Sequence, residues 1–97
     1  MSFPVVIRRR CDNFIEDCDD KSRRNIRIRL AILADDPFPG KGGDKELIRA
    51  PQGRSGEKVY RLHISRHFTA FYTIIDKTVY ITEVMTIEQA HKKYGLL

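Results

Sequence analysis

The sequence predicts an α+β domain: a short N-terminal strand, two helices, a long connection, a three-stranded antiparallel meander and a short C-terminal helix. Three observations carry this. Between residues 11 and 33 apolar side chains recur every three to four positions, the period of helices packed on a core. From residue 58 to residue 85 the period falls to two, that of half-buried strands. The stretch between them collects most of the glycines and prolines, the punctuation of a loop. At 97 residues, 41% hydrophobic, the chain is expected to be one domain over residues 1–97, near the lower end of sizes that sustain a core.

"FPVVIRR" (3–9) is β-branched and reads as a short strand, which Pro4 confines to an edge or a late start. Next, Cys11, Phe14, Ile15 and Cys18 fall at i, i+3, i+4 and i+7, one apolar helical face. Asp12, Glu16 and Asp17 then read as the wet face of that helix rather than as a metal cluster. Seven residues apart on a helix, the two cysteines stand roughly 10.5 Å from each other. A disulfide needs Cα atoms within about 7 Å, so both thiols are expected reduced, as suits the cytoplasm.

"DDKSRRNIRIRLAILADDP" is the strongest helix, capped by Asp20 or Ser22 and stopped by Asp35-Asp36-Pro37. Ile26, Leu30 and Leu33 form one stripe, while Ile28 and Ile32 lie on the opposite side. Two stripes predict two coverings, the sheet on one and the first helix or a partner chain on the other. "PFPGKGGDKELIRAPQGRSGEK" reads as a flexible connection with a brief apolar segment at Leu47 and Ile48. Its "GKGGDK" lacks the spacing and the Lys-Ser/Thr pair of a phosphate-binding P-loop.

In "KVYRLHIS" Tyr60, Leu62 and Ile64 are expected in the core, with Arg61 and His63 on the other face. "HFTAFYTII" follows a tight turn. Phe71 falls on the Arg61/His63 face, where stacking a base competes with the favoured reading, burial beneath the C-terminal helix. Asp76-Lys77 turns the chain into "TVYITEVM", which is apolar on both sides. Whether Val79 and Ile81 or Tyr80 and Val84 face the core is left open. Thr86 with Gln89 is a capping-box pair, and Gly95 a natural C-cap.

A net charge of +5 favours acidic partners, RNA or DNA above all, over neutral ligands. "MSFPVVIRRR" does not have the order of a signal peptide. No window approaches the roughly 20 apolar residues of a membrane span, and a cytoplasmic protein is expected.

The order and spacing of "AILADDPFPG", "KELI", "VYRLHISRHFTAFYTIIDKTVYITEVM" and the terminal "KKY" resemble the RelE/ParE superfamily of toxins from toxin–antitoxin modules, over most of residues 3–95. The resemblance implies a RelE-like fold with two helices packed on a curved antiparallel sheet, and an antitoxin partner. It implies either metal-independent cutting of ribosome-bound mRNA or, in the ParE-like branch, a gyrase poison that does no chemistry. A fold that only binds its antitoxin is a third outcome. No cofactor, metal or membrane is implied. Carried over, the catalytic group is Arg61, His63, His91 and Tyr94, and the RNA-binding group is Lys45, Arg49, Lys58, Arg66, His67, Lys92 and Lys93. Lys41 and Arg54 are further cations of the connection. This chain departs from the pattern twice: Thr69 and Gln89 (or Glu88) stand where arginines are usual. The histidines read equally as surface residues of a basic sheet face, and their spacing gives no signal of a three-His zinc site.

Overall fold

A computed structural model describes residues 2–40, 43–48 and 58–94. They form β1 (Val5–Ile7), α1 (Arg9–Glu16), α2 (Asp20–Ile32), β2 (Lys45–Ile48), β3 (Val59–His63), β4 (Phe68–Ile75), β5 (Thr78–Thr86) and α3 (Ile87–Tyr94). The five strands lie in the order β1-β5-β4-β3-β2. The expected meander is β3–β5, every pairing antiparallel. It is extended at both sides. β1 pairs parallel to β5, and β2, the segment read above as part of the connection, pairs antiparallel to β3.

Helix periodicity positions the main core. Ile26, Leu30 and Leu33 of the α2 stripe are buried, with Cys11 and Ile15 of α1, against Tyr60, Leu62, Ala70, Tyr72, Val79 and Ile81 of the sheet. The α2 cap sits at Asp19, one residue before the expected one. Arg27 of α2 pairs with Asp12 at 2.7 Å and Glu16 at 2.8 Å, tying the acidic side of α1 to its neighbour. Cys18 lies just beyond the end of α1, and both thiols are free. The opposite stripe of α2 has no cover among the described residues: Ile28 is 55% exposed and Ile32 37%.

The open question about β5 resolves into a bulge. Tyr72 pairs with Ile81 but Phe71 pairs with Glu83, so Thr82 is an extra residue on β5. Its hydroxyl donates to the Phe71 carbonyl at 3.2 Å. The extra residue reverses the parity of everything after it. Val79 and Ile81 therefore face the main core before the bulge and Val84 faces it after, while Met85 turns to the other side. There Met85, Phe71 and Ala90 of α3 form a second, smaller core, edged by Ile48 and Val59. Phe71 is thus buried beneath α3, as the favoured reading held.

α3 starts where the capping box predicts. The Thr86 N–H donates to Gln89 Oε1 at 3.0 Å, and the Gln89 N–H to Thr86 Oγ1 at 3.1 Å. The Ile87 N–H also donates to the His67 carbonyl at 2.9 Å, pinning the helix to the β3–β4 bend.

Candidate functional site

Strand register places one polar row across the α3 side of the sheet. Glu46 of β2 is opposite Arg61 of β3, Arg61 opposite Phe71 of β4, and Phe71 opposite Glu83 of β5. One step along, His63 stands opposite Thr69. Around Glu46 these residues become a cluster: Oε1 lies 3.4 Å from His63 Nε2 and 3.6 Å from Arg61 Nη1. Glu46 and the His63 side chain are 49% and 38% exposed. An imidazole that reaches solvent with one nitrogen facing a carboxylate is a competent proton carrier.

Arg61 does not occupy the position expected of it. It is only 2% exposed and donates from Nε to Thr69 Oγ1 at 3.0 Å, while that hydroxyl donates to the Leu62 carbonyl at 2.9 Å. A buried guanidinium requires partners, and Thr69 is one of them. Thr69, standing where the resemblance places an arginine, thus holds the neighbouring arginine. Gln89, at the other departure, is occupied by the capping box.

Lys45 is likewise withdrawn from the expected RNA surface. Its parity puts it opposite Leu62, on the α1/α2 side, where it is 7% exposed. Its ammonium lies 3.3 Å from Asp36 and 3.2 Å from Asp44. Burial pushes the Asp44 carboxyl up, but hydrogen bonds from Arg29 and Lys45 outweigh it and hold the group below the usual aspartate range. Nearby, burial drives the Tyr72 phenol well above the tyrosine range, helped by Tyr60 and the carboxylates of Asp44 and Asp36. That phenol donates to the Pro37 carbonyl at 2.6 Å.

The remaining cations are distributed around the α3 side. Lys58 begins β3, Arg66 and His67 sit in the bend after it, and His91, Lys92 and Lys93 lie on α3; all are exposed. Lys93 pairs with Glu83 at 2.9 Å, and Arg10 of α1 pairs with the same carboxylate at 2.7 Å. Lys58, Arg66, His67, His91 and Lys92 make no ion pair among the described residues. His67 contributes its backbone to the bend, donating to Ser65 Oγ and accepting from Ile87. The structure brings Arg61 and His63 together, adding Glu46 and Thr69, but gives His91 no bond to them. Arg49, Lys41, Arg54, Gly95 and the side chain of Tyr94 lie outside the described residues.

Glu46 is the residue that sequence reasoning missed. Its signal was present, a carboxylate alternating with Lys45 and Leu47 in "KELI". It becomes meaningful only once β2 is known to pair with β3.

No protein-family model matches the chain, and no curated protein matches it either. Among solved structures, a chain of the archaeal RelE–RelB complex from Pyrococcus horikoshii OT3 superposes with a TM-score of 0.70 at 18% identity, covering 89% of this chain and 96% of that one. The fold is RelE-like. A mutant of E. coli toxin RelE in the free state gives a TM-score of 0.63 at 17% identity, covering 94% of this chain and 90% of that one. The RelE-like frame extends from β1 to α3 and includes the sheet that carries Glu46, Arg61 and His63. Among the described residues no helix is long and apolar enough to cross a membrane.

Proposed function

We propose that the chain is the toxin of a toxin–antitoxin pair and that its α3-side sheet face cuts mRNA on the ribosome in the cytoplasm. The Glu46–His63 pair at 3.4 Å, set in a RelE-like fold, is the observation that carries this reading. With Nε2–H given to Glu46, His63 has Nδ1 left as a base. Nδ1 takes the proton from a ribose 2′-OH, and the 2′-oxygen attacks the adjacent phosphorus. The P–O5′ bond breaks, and the leaving 5′-oxygen takes a proton from His91. The products are a 2′,3′-cyclic phosphate and a 5′-hydroxyl. Arg61 fixes Glu46 from below, and Lys58, Arg66, His67, Lys92 and Lys93 bind phosphates along the path.

The test is cleavage of mRNA on programmed ribosomes with chelator present. His63→Ala and His91→Ala should each lower the rate by roughly 10²- to 10⁴-fold, the usual range for a general acid or base. A bell-shaped pH profile is expected, since one histidine acts neutral and the other protonated. A wild-type chain that cuts nothing yet arrests growth when expressed overturns the nuclease reading. A second reading then takes its place: a poison that acts by binding alone. The observation that favours it is the burial of Arg61, which withdraws its charge from any bound phosphate.

A further inference from the structure

A different opening, about 500 Å³ in volume, lies between α1 and α3 over the end of β5. Strand pairing explains it. β1 accompanies β5 only from Val79 to Ile81, so beyond the Thr82 bulge the outer edge of β5 has no neighbouring strand among the described residues. α1 and α3 flank that edge without closing over it. The floor is apolar: Cys11 and Phe14 of α1, Val84 and Met85 of β5. The rim carries Arg10, Lys92 and Lys93 against one carboxylate, Glu83, which already holds Arg10 and Lys93.

We infer that this cleft docks an acidic, apolar segment of a partner polypeptide, its hydrophobic side chains on Phe14, Val84 and Met85 and its carboxylates toward Lys92 and Arg10. Three cations to one carboxylate select an anionic partner. The apolar floor selects a peptide over RNA, because a polynucleotide would lay phosphates near Glu83 and leave the floor unfilled. A cleft of this size with few polar groups also lies within the usual range for a ligand-binding site. The inference rests on the toxin–antitoxin reading for the partner's identity, and on the cleft alone for its chemistry.

The experiment titrates the full chain, labelled at its methionine methyls and backbone amides, and follows it by NMR. The probes are a synthetic amphipathic peptide of leucine and glutamate, its counterpart with lysine for glutamate, and an RNA oligonucleotide. The acidic peptide should move the Met85 methyl and the Val84 amide, and the basic peptide should not. Lys92→Glu, at an exposed position with no ion pair, should weaken the acidic peptide several-fold. Arg10→Glu combined with it should bring the loss to about tenfold or more. Equal binding of both peptides overturns the inference, as do shifts centred on Ile28 and Ile32. RNA moving Met85 where the acidic peptide does not assigns the cleft to nucleic acid, and concentration-dependent shifts without peptide assign it to a second copy. Each of these outcomes leaves the ribosome assay untouched. A chain that fails that assay and still takes the acidic peptide here separates the two conclusions.

Discussion

On the α1/α2 side of the sheet, Lys45 is enclosed between Asp36 and Asp44, and Tyr72 is closed by the Pro37 carbonyl. On the α3 side, Arg61 is equally buried, yet the groups beside it, Glu46 and His63, reach solvent. Both faces bury a cation. Only the second leaves a titratable pair where a substrate can meet it. The difference follows from coverage: two helices close the first face, and the described part of the second is covered by one helix of eight residues. A thinly covered face has apolar contacts to lose and polar groups to offer. Function and lower local stability therefore fall on the same side of the sheet.

The largest effect should come from breaking the better-covered side. Leu62→Ala, at a fully buried position, should cost about 2–5 kcal/mol in a denaturant titration. Met85→Ala in the smaller core should lie at or below the bottom of that range. A larger loss at Met85 would reverse the ranking of the two faces. Arg61→Ala comes next, at about 1.5–3 kcal/mol, the scale of a hydrogen bond to a charged group left unmade. Lys58→Ala should stay within about 0.5 kcal/mol of wild type while lowering the salt slope of RNA binding by about 0.7 to 0.9. Stability loss at Lys58 would erase the distinction between cations that hold the fold and cations that meet the ligand. Thr86→Ala removes one arm of the capping box and should cost about 1 kcal/mol, measured as loss of amide protection in α3 before β3 or β4.

Asp76 and Lys77 both adopt positive φ, 49° and 63°, as the two-residue hairpin turn requires. Asp76→Asn with Lys77→Gly should therefore stabilise by about 0.5–1 kcal/mol; destabilisation would mean those side chains matter to the turn. The smallest effect is acid sensitivity on the α1/α2 side. The folded-state pKa of Asp44 is lowered, so its contribution is present above the ordinary aspartate range and disappears as pH falls through the lowered value. Asp44→Asn should flatten that part of the stability profile, and an unchanged profile would remove Asp44 from the account.

What the sequence announced was local. The Ile26-Leu30-Leu33 stripe, the Thr86/Gln89 box and the Asp76-Lys77 turn each depend on neighbours within a few residues, and each is found where it was expected. What it concealed depended on register between distant segments. Arg61 and His63 look alike in an alternating strand, yet one is buried and one is not, because Thr69 and Glu46 come from other strands. Lys45 belongs to the opposite face only because β2 pairs with Leu62 at that position. Glu46 had no visible role until the same pairing supplied one. Fold class was thus readable, and the cluster that gives the face its chemistry was half readable.

The bulge at Thr82 also divides β5 by ownership. Val79–Ile81 are laddered on both sides, by β1 and β4, whereas Glu83–Thr86 are laddered by β4 alone. A break in the ladder is a natural stopping point for fraying. If α3 peels from the sheet, the melt should run back through Thr86 and halt near Thr82, leaving β1, α1 and α2 intact. The last turn of β5 and α3 then constitute a detachable end, able to open and reclose many times within the lifetime of one folded molecule. Hydrogen exchange would show it as two rates in a single strand, fast after residue 82 and slow before it.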